Sequence, residues 1–115
     1  MASKLVIVVR ADLGMTTGKI AAQVAHAAVA AALATRGTPE FRDWVDDGQP
    51  KVVLRVADLD GLESVERSAR AAGLHVEVIR DAGRTQVDAD TPTCCAVGPG
   101  ADDVIDQITG GLSLF

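Results

Sequence analysis

The chain has 115 residues, a length that fits one domain with its own core, and we expect a single domain over residues 1–115. With no Tyr, one Trp and two Phe, it is not expected to stack nucleic-acid bases on an aromatic platform. The net charge of −5 argues weakly against non-specific binding of nucleic acid, because charges can be segregated between faces.

A buried strand followed by a glycine loop opens the chain. The sequence LVIVV at residues 5–9 is a continuous apolar run, which is typical of a strand covered on both faces. The sequence GMTTGKI at residues 14–20 approaches a phosphate-binding loop, but its glycine spacing is one residue short and Ile20 replaces the hydroxyl ligand of Mg²⁺. The pattern therefore disfavours a nucleoside triphosphatase and favours an anion site made by Lys19 and the N-terminus of the next helix.

An alanine-rich helix is predicted over residues 20–35, since alanine is the best helix former and Gly37 suits the end of a helix. Its apolar part, residues 20–34, would reach roughly 22 Å, which is short of a bilayer core of roughly 30 Å. We therefore interpret it as a buried helix and expect no membrane partner.

Three polar side chains share one face of this helix. Lys19, Gln23 and His26 follow the spacing i, i+4, i+7. Two interpretations remain open: a solvated stripe in which a local hydrogen bond satisfies His26, or a surface that holds a ligand. The adjoining face, which we expect to enter the core, consists of Ile20, Val24, Ala27 and Ala31.

The remaining elements alternate between strands and helices. Asp58 is a good N-cap for a helix that ends at Gly73, and acidic residues open a final helix near residues 101–110. The order β-α-β-α-β-β-α predicts an α/β fold, a three-layer sandwich with a mixed four-stranded sheet flanked by helices. The other predicted segments are a short helical turn and loop within residues 38–50 and strands at residues 51–57, 75–81 and 93–100.

The two cysteines, Cys94 and Cys95, are adjacent on a predicted strand. Neighbours on a strand point to opposite faces, so we expect no disulfide between them. No His or Cys lies at a ligand spacing that would indicate a zinc site, and we expect no metal. Because no signal peptide precedes the first strand, the sequence favours a cytoplasmic protein with reduced thiols.

A second polar cluster, RDAGRTQ at residues 80–86, leaves the third strand. Asp81 stands at the strand exit, where ligands of α/β sheets tend to bind, and the loop after the first strand carries Lys19 to the same edge. From chemistry alone, an Asp81–Lys19 pair is either a structural ion pair or a catalytic one. In the catalytic case the carboxylate acts on water and the ammonium stabilises negative charge.

Five motifs together carry a family resemblance. They are KLVIVVRADLGMTTGKIAAQVAHAAV, GQPKVVLRV, DAGRTQ, GPG and IDQITGGLSLF, and they span essentially the whole chain in a compatible order. With them the sequence resembles the peptidyl-tRNA hydrolase type found in archaea and eukaryotes, which is distinct from the common bacterial enzyme.

The resemblance implies a mixed-sheet α/β domain, usually a homodimer, without an organic cofactor. It implies hydrolysis of the ester between a peptide and the 3′ end of tRNA, which recycles tRNA for translation. The residues it points to as catalytic are Lys19, Asp81, Thr85 and Thr93, all of the expected type. Gln23 and His26 lie in the matching helix motif and are expected to bind substrate.

For the mechanism, we expect Asp81 to orient or deprotonate water, assisted by Thr85 or Thr93, and Lys19 to hold the oxyanion or the terminal phosphate. A positive rim for the tRNA backbone is expected from Arg10 and Arg84, with Lys51 and Arg80 as further members. The acidic excess is expected on the far side, for example at Asp58, Asp60, Glu63, Asp102 and Asp103.

Two rival functions remain open from the sequence. One is a non-catalytic adaptor of the same fold that binds tRNA or a protein, which the purified chain would reveal by failing to hydrolyse peptidyl-tRNA. The other is a small nucleotide-binding domain, which would show Mg²⁺-dependent binding of ATP or GTP.

Overall fold

A computed structural model of the chain describes residues 2–82 and 88–115. In chain order its elements are β1 (Ser3–Arg10), α1 (Thr17–Thr35), α2 (Pro39–Asp46), β2 (Lys51–Val56), α3 (Leu59–Ala71), β3 (Val76–Arg80), β4 (Pro92–Ala101) and α4 (Asp102–Thr109). The predicted strands and helices are confirmed, and the helical turn expected within residues 38–50 is the two-turn helix α2. No helix in these two ranges is both long and apolar enough to cross a membrane.

The sheet has the strand order β2-β1-β4-β3. β1 runs parallel to β2, and β4 runs antiparallel to both β1 and β3, so β3 has the same direction as β1 and β2. The carboxyl ends of these three strands, at Arg10, Val56 and Arg80, therefore lie at one edge of the sheet together with the start of β4 at Pro92. We call this edge the carboxyl edge. The predicted mixed four-stranded α/β sandwich is confirmed.

The two faces of the sheet are covered by different helices. Alternate residues of β1 enter a cluster with α1 and α2 on one face, and the residues between them enter a cluster with α3 and α4 on the other. This double burial explains the continuous apolar run at residues 5–9. Cys94 lies in the first cluster and Cys95 in the second, and both are free thiols, as the alternation of a strand predicts.

Helix α1 begins three residues earlier than predicted, because Thr16 caps it. The Thr16 hydroxyl accepts a hydrogen bond from the Lys19 N–H at 3.3 Å, which satisfies one of the free donors of the first turn. Of the face expected to enter the core, Ala27 and Ala31 are buried, and Ile20 and Val24 are half-buried against the same cluster. Gln23, expected on the polar face, is also buried. The full buried row, with a spacing of four residues, is Gln23, Ala27, Ala31 and Thr35.

Candidate functional site

Lys19 and Asp81, which follow two different strands, form an ion pair at the carboxyl edge. Lys19 lies in the first turn of α1, and Asp81 follows the last residue of β3. The Nζ atom of Lys19 donates a hydrogen bond to Oδ1 of Asp81, and the exposed fractions of the two side chains are 9% and 1%. The structure therefore joins the two polar loops that the sequence places at this edge.

The backbone of Asp81 is held where the loop after β3 returns to β4. Its N–H donates to the carbonyl of Thr91 at 2.9 Å, and its carbonyl accepts from the N–H of Asp90 at 2.8 Å. These two bonds fix the carboxylate against the first turn of α1, and a fixed charge needs no reorganisation during a reaction.

A buried hydrogen-bond network lies beneath the ion pair. The Thr93 hydroxyl donates to Oε1 of Gln23 at 2.5 Å and has the Ile79 carbonyl at 3.3 Å as its other acceptor. The Cys94 thiol donates to the Gln23 carbonyl at 3.6 Å, and burial raises the pKa of this thiol to about 11, so it remains protonated at neutral pH. Thr93 is fully buried and Gln23 nearly so. The network thus supports α1 against β4 from below.

The polar stripe predicted on α1 is divided between two environments. Lys19 and Gln23 join the network at the sheet, whereas His26 is exposed and its imidazole makes no hydrogen bond within residues 2–82 and 88–115. The solvated interpretation therefore describes His26 only, and the local hydrogen bond expected for it is absent from that part of the chain.

Arg10, expected in the positive rim, is engaged inside the protein. Its guanidinium donates to both carboxylate oxygens of Asp12, at 3.1 and 2.9 Å, and to the carbonyl of Pro92 at 3.1 Å. The hydrogen bond between them raises the pKa of Arg10 and lowers the pKa of Asp12. Arg10 therefore connects β1 to the residue before Thr93, with its charge balanced by Asp12.

The other residues expected in the positive rim or on the acidic far side lie partly at the carboxyl edge and partly at the opposite edge. Lys51, expected in the rim, is the first residue of β2 and lies at the opposite edge, so that assignment is wrong. Arg80 is exposed at the carboxyl edge and donates to the Asp90 carbonyl at 3.1 Å. Asp58, expected on the far side, caps α3 at the carboxyl edge instead, because α3 begins where β2 ends. Arg84 and Thr85 lie outside the described residues.

At the far edge the expectation holds for the acids of α4. Asp102 and Asp103 begin this helix directly after the last residue of β4, at the edge opposite the ion pair. Their carboxylates are therefore remote from Lys19.

The site combines a fixed carboxylate, from Asp81, with a fixed ammonium group, from Lys19. The ammonium stands at the positive end of a 19-residue helix, so negative charge is favoured there. Within residues 2–82 and 88–115, no three His, Cys, Asp or Glu side chains are grouped as metal ligands would be. The arrangement supplies a candidate base and a candidate oxyanion donor for hydrolysis.

Comparison with known sequences gives a consistent result over the full chain. Residues 3–115 match the family described as Peptidyl-tRNA hydrolase PTH2. A peptidyl-tRNA hydrolase of Metallosphaera sedula is 53% identical, covering 97% of this chain and 99% of its own length. Proteins of the same name from Halobacterium salinarum and Thermoplasma acidophilum are 49% and 45% identical; the first covers 97% of this chain and 99% of its own length, the second 100% of both.

Among solved structures, an Agrobacterium protein of unknown function is similar with a TM-score of 0.57. The alignment covers 100% of this chain and 98% of that protein, at 11% identity. At this identity the likeness shows a shared fold and nothing about activity.

Proposed function

Since the chain belongs to the peptidyl-tRNA hydrolase PTH2 family, it hydrolyses the ester between peptide and tRNA, and we propose that Lys19, Asp81, Thr85 and Thr93 carry this reaction at the carboxyl edge. The observation that supports the assignment is the buried Lys19–Asp81 pair, which joins the first turn of α1 to the residue after β3. We further propose that residues 1–115 act as one domain in the cytoplasm, where translation releases its substrate.

In the proposed reaction a water molecule attacks the ester carbonyl carbon. The water oxygen forms the new bond, its proton passes to a base, and the carbonyl oxygen takes negative charge. Collapse of this intermediate breaks the bond to the 3′ oxygen of the terminal ribose, which takes up a proton and leaves with the tRNA. The enzyme must therefore supply a base and a donor for the oxyanion.

Lys19 is the proposed oxyanion donor. An ammonium group has three N–H donors, and the bond to Asp81 uses one of them. The first turn of α1 adds a positive partial charge beside it. A donor that is already oriented before the reaction stabilises the charge that develops, which is the largest single contribution in many hydrolases.

Asp81 is proposed to orient the water and accept its proton. Its backbone bonds to Asp90 and Thr91 and its ion pair to Lys19 leave the carboxylate little freedom to rotate. Thr85, five residues beyond β3 in the sequence, is proposed to assist it. Asp81 is 1% exposed and Lys19 is 9% exposed. We therefore expect water and substrate to reach the pair from the side of Lys19.

Thr93 is proposed to act through Gln23. Its buried hydroxyl holds the Gln23 amide, and Gln23 lies one helical turn after Lys19 on the same row of α1. The pair therefore sets the position of the turn that carries the ammonium.

Among the remaining expected substrate-binding residues, exposed His26 is proposed to contact substrate directly, Arg10 to position the start of β4, and Arg84 to bind the tRNA backbone.

A single-turnover assay on peptidyl-tRNA tests the catalytic assignment. We expect Lys19→Ala and Asp81→Asn each to reduce the rate by about 10²- to 10⁴-fold. Lys4→Ala is the matched control, because Lys4 forms a similar pair with Asp106 at 2.6 Å, outside the carboxyl edge. Near wild-type rates in both site variants would refute the assignment, and an inactive wild-type chain would favour the adaptor.

Binding of tRNA by a chain of net charge −5 is proposed to depend on a local positive surface. Each phosphate contact releases counterions, so affinity should fall as salt rises. The measurement is the dissociation constant of deacylated tRNA over a salt series from about 0.05 to 0.2 M. An affinity that does not change with salt would exclude the rim.

A homodimer is proposed to form through the outer face of α1. Val29 and Leu33 on this helix are 58% and 67% exposed, although α1 is apolar on most sides. A groove of about 420 Å³ that includes Trp44 continues this surface toward α2. Exposed apolar area of this kind is typical of an interface, and small alanines permit close approach of a second helix.

Sedimentation of the purified chain tests the dimer. We expect a dimer for the wild type and a monomer for Leu33→Glu. Leu114→Glu is the matched control, because Leu114 is 72% exposed on a different part of the surface and should leave the dimer intact. A wild-type monomer at micromolar concentration would contradict the proposal.

A further inference from the structure

The two edge strands of the sheet, β2 and β3, differ in what pairs with them on the outside. The Arg55 N–H donates to the Ser113 carbonyl at 3.0 Å. The Phe115 N–H donates to the Val53 carbonyl at 3.1 Å, so residues 113–115 close the outer edge of β2. The outer edge of β3 has no backbone partner in the part of the chain that the structure describes. An edge with free N–H and C=O groups is a template for another extended chain.

Alternate residues of β3 present their backbone groups to this free edge. The His75 carbonyl accepts from the Gly98 N–H at 2.9 Å, so it faces β4. The alternation of an antiparallel ladder turns the backbone groups of Ile79 toward β4 as well. Those of Val78 and Arg80 therefore point away from β4. Val78 is half-buried and Arg80 is exposed, so a second chain can reach both.

The accessible part of this edge adjoins Asp81. Val76, at the start of β3, is 4% exposed, so the open part is the end formed by Val78 and Arg80. Asp81 is the next residue along the chain, and its carboxylate binds Lys19. Neighbouring strands lie about 4.8 Å apart, so a chain paired with this end would place its last residues one strand spacing from Asp81.

The peptide of peptidyl-tRNA has the direction and the chemistry that this edge accepts. Its C-terminal carbonyl carries the ester, which must lie at the carboxyl edge, so the peptide would run toward that edge and parallel to β3. Translation makes peptides of every sequence. An enzyme that acts on all of them can hold them only by groups that they share, and an added strand is held by main-chain hydrogen bonds.

We propose that the outer edge of β3, at Val78 and Arg80, binds the peptide of peptidyl-tRNA as an added parallel strand. One peptide residue donates to the Val78 carbonyl and accepts from the Arg80 N–H, and the Val78 N–H donates to the peptide residue two positions earlier. These bonds position the chain that leads to the ester. The inference rests on the proposed function and adds a peptide site to it.

Steady-state kinetics on two substrates test the peptide site. The substrates are N-acetylalanyl-tRNA and N-acetylpentaalanyl-tRNA, which differ only in the length of the peptide. We expect KM to be about tenfold lower for the longer one, with kcat within about twofold, since each backbone hydrogen bond contributes about twofold to tenfold in affinity. Equal KM values for the two substrates would overturn the proposal.

Backbone N-methylation of the pentaalanyl substrate gives a second readout with the wild-type chain. A methyl group on an amide nitrogen removes its donor, and toward β3 it also blocks the approach of the two chains. Because only alternate residues face β3, methylation should raise KM at every second position and change it by less than about twofold at the others. The two sets of positions control for each other, since methylation alters the free peptide in the same way in both. Equal effects at successive positions would overturn the paired strand.

A variant of the edge gives the third readout. Val78→Pro removes the outward N–H, and proline is compatible with an edge strand. It should raise KM for the pentaalanyl substrate about tenfold and leave KM for the alanyl substrate within about twofold. Val78→Ala is the matched control, because it loses the side chain but keeps the N–H. An unchanged KM for the longer substrate in Val78→Pro would overturn the proposal, and if this variant does not fold, the methylated substrates decide.

The two proposals can fail separately. A chain that loses its rate in Lys19→Ala and Asp81→Asn, but has the same KM for both peptide lengths, retains the catalytic assignment without the peptide site. A chain whose KM alternates with N-methylation, but which keeps its rate in those two variants, retains the peptide site without the catalytic assignment. If Val78→Pro converts a dimer into a monomer in sedimentation, the edge pairs with a second copy of the chain and the peptide proposal is wrong.

Discussion

Two cation–aspartate pairs stand at the same edge of the sheet and differ in the burial of their carboxylates. Asp81 is 1% exposed beside Lys19, whereas Asp12 is 38% exposed beside Arg10. Both pairs are hydrogen-bonded, so contact geometry does not separate them. Removing one member of a buried pair leaves the other charge poorly solvated, while an exposed carboxylate is screened by water. The Lys19–Asp81 pair should therefore dominate both stability and rate.

The largest expected effect is on the buried pair itself. Lys19→Met should lower the free energy of unfolding by about 3–5 kcal/mol, because Asp81 loses its ammonium in a buried setting. The double variant Lys19→Met/Asp81→Leu should recover most of that stability without recovering hydrolysis. Urea denaturation and the single-turnover assay measure the two quantities on the same samples.

This pair of variants separates structure from catalysis. Lys4→Met is the control for loss of a lysine from a more exposed pair, and its stability should change by less than about 1 kcal/mol. Full activity in the double variant would mean that the pair is structural only, which the sequence alone leaves open.

The next largest effect is expected at alkaline pH, where ionisation of the buried thiols of Cys94 and Cys95 should lower the free energy of unfolding. Burial raises the pKa of Cys94 to about 11 and that of Cys95 to about 12, from an ordinary value of 9.0. The folded state therefore holds these protons more tightly, and their contribution is complete below about pH 9 and is lost as pH rises through 11 and 12. Each cysteine should lower the free energy of unfolding by roughly 1–2 kcal/mol between about pH 8 and pH 10.

The check is urea denaturation at both pH values in a reducing buffer. The Cys94→Ala/Cys95→Ala variant is the control, because it differs from the wild type only at the two thiols. An equal loss of stability in the two proteins would show that the thiols ionise as readily folded as unfolded.

The network beneath the ion pair should have an intermediate effect. Thr93→Val preserves shape but removes the hydroxyl that satisfies Oε1 of Gln23, so we expect a loss of about 1–3 kcal/mol in unfolding free energy. Adding Gln23→Leu should restore part of this loss, because both polar partners are then absent. A double-mutant cycle by thermal or urea denaturation measures the coupling, and a coupling near zero would contradict a working Thr93–Gln23 bond.

The smallest expected effect is at the exposed pair. The lowered pKa of Asp12 contributes stability above its ordinary titration range, near pH 4, and this contribution is lost as pH falls through the lowered value. Because water screens this carboxylate, Asp12→Asn should change the unfolding free energy at neutral pH by less than about 1 kcal/mol. The measurement is urea denaturation at low and high salt. A loss of several kcal/mol would show that the Asp12 pair stabilises the fold as much as the Asp81 pair does.

The sequence by itself determined the elements and most of their ends. The apolar run of β1, the caps at Asp58 and Gly73 and the alternation of Cys94 and Cys95 predict local structure, and the structure confirms them. These signals are local, because periodicity and capping depend on residues within a few positions of each other. The family motifs then indicated the reaction, and the match over residues 3–115 confirms the family.

Only the tertiary structure decided which of these elements meet. The strand order β2-β1-β4-β3 brings Lys19 to Asp81 and places Lys51 at the wrong edge for a rim, and no local pattern encodes that order. Gln23, expected on a polar face of α1, is buried, and Thr93, 70 residues away in sequence, donates a hydrogen bond to its Oε1. A polar group can be buried only where such a partner exists, and that partner becomes visible only when the sheet has assembled.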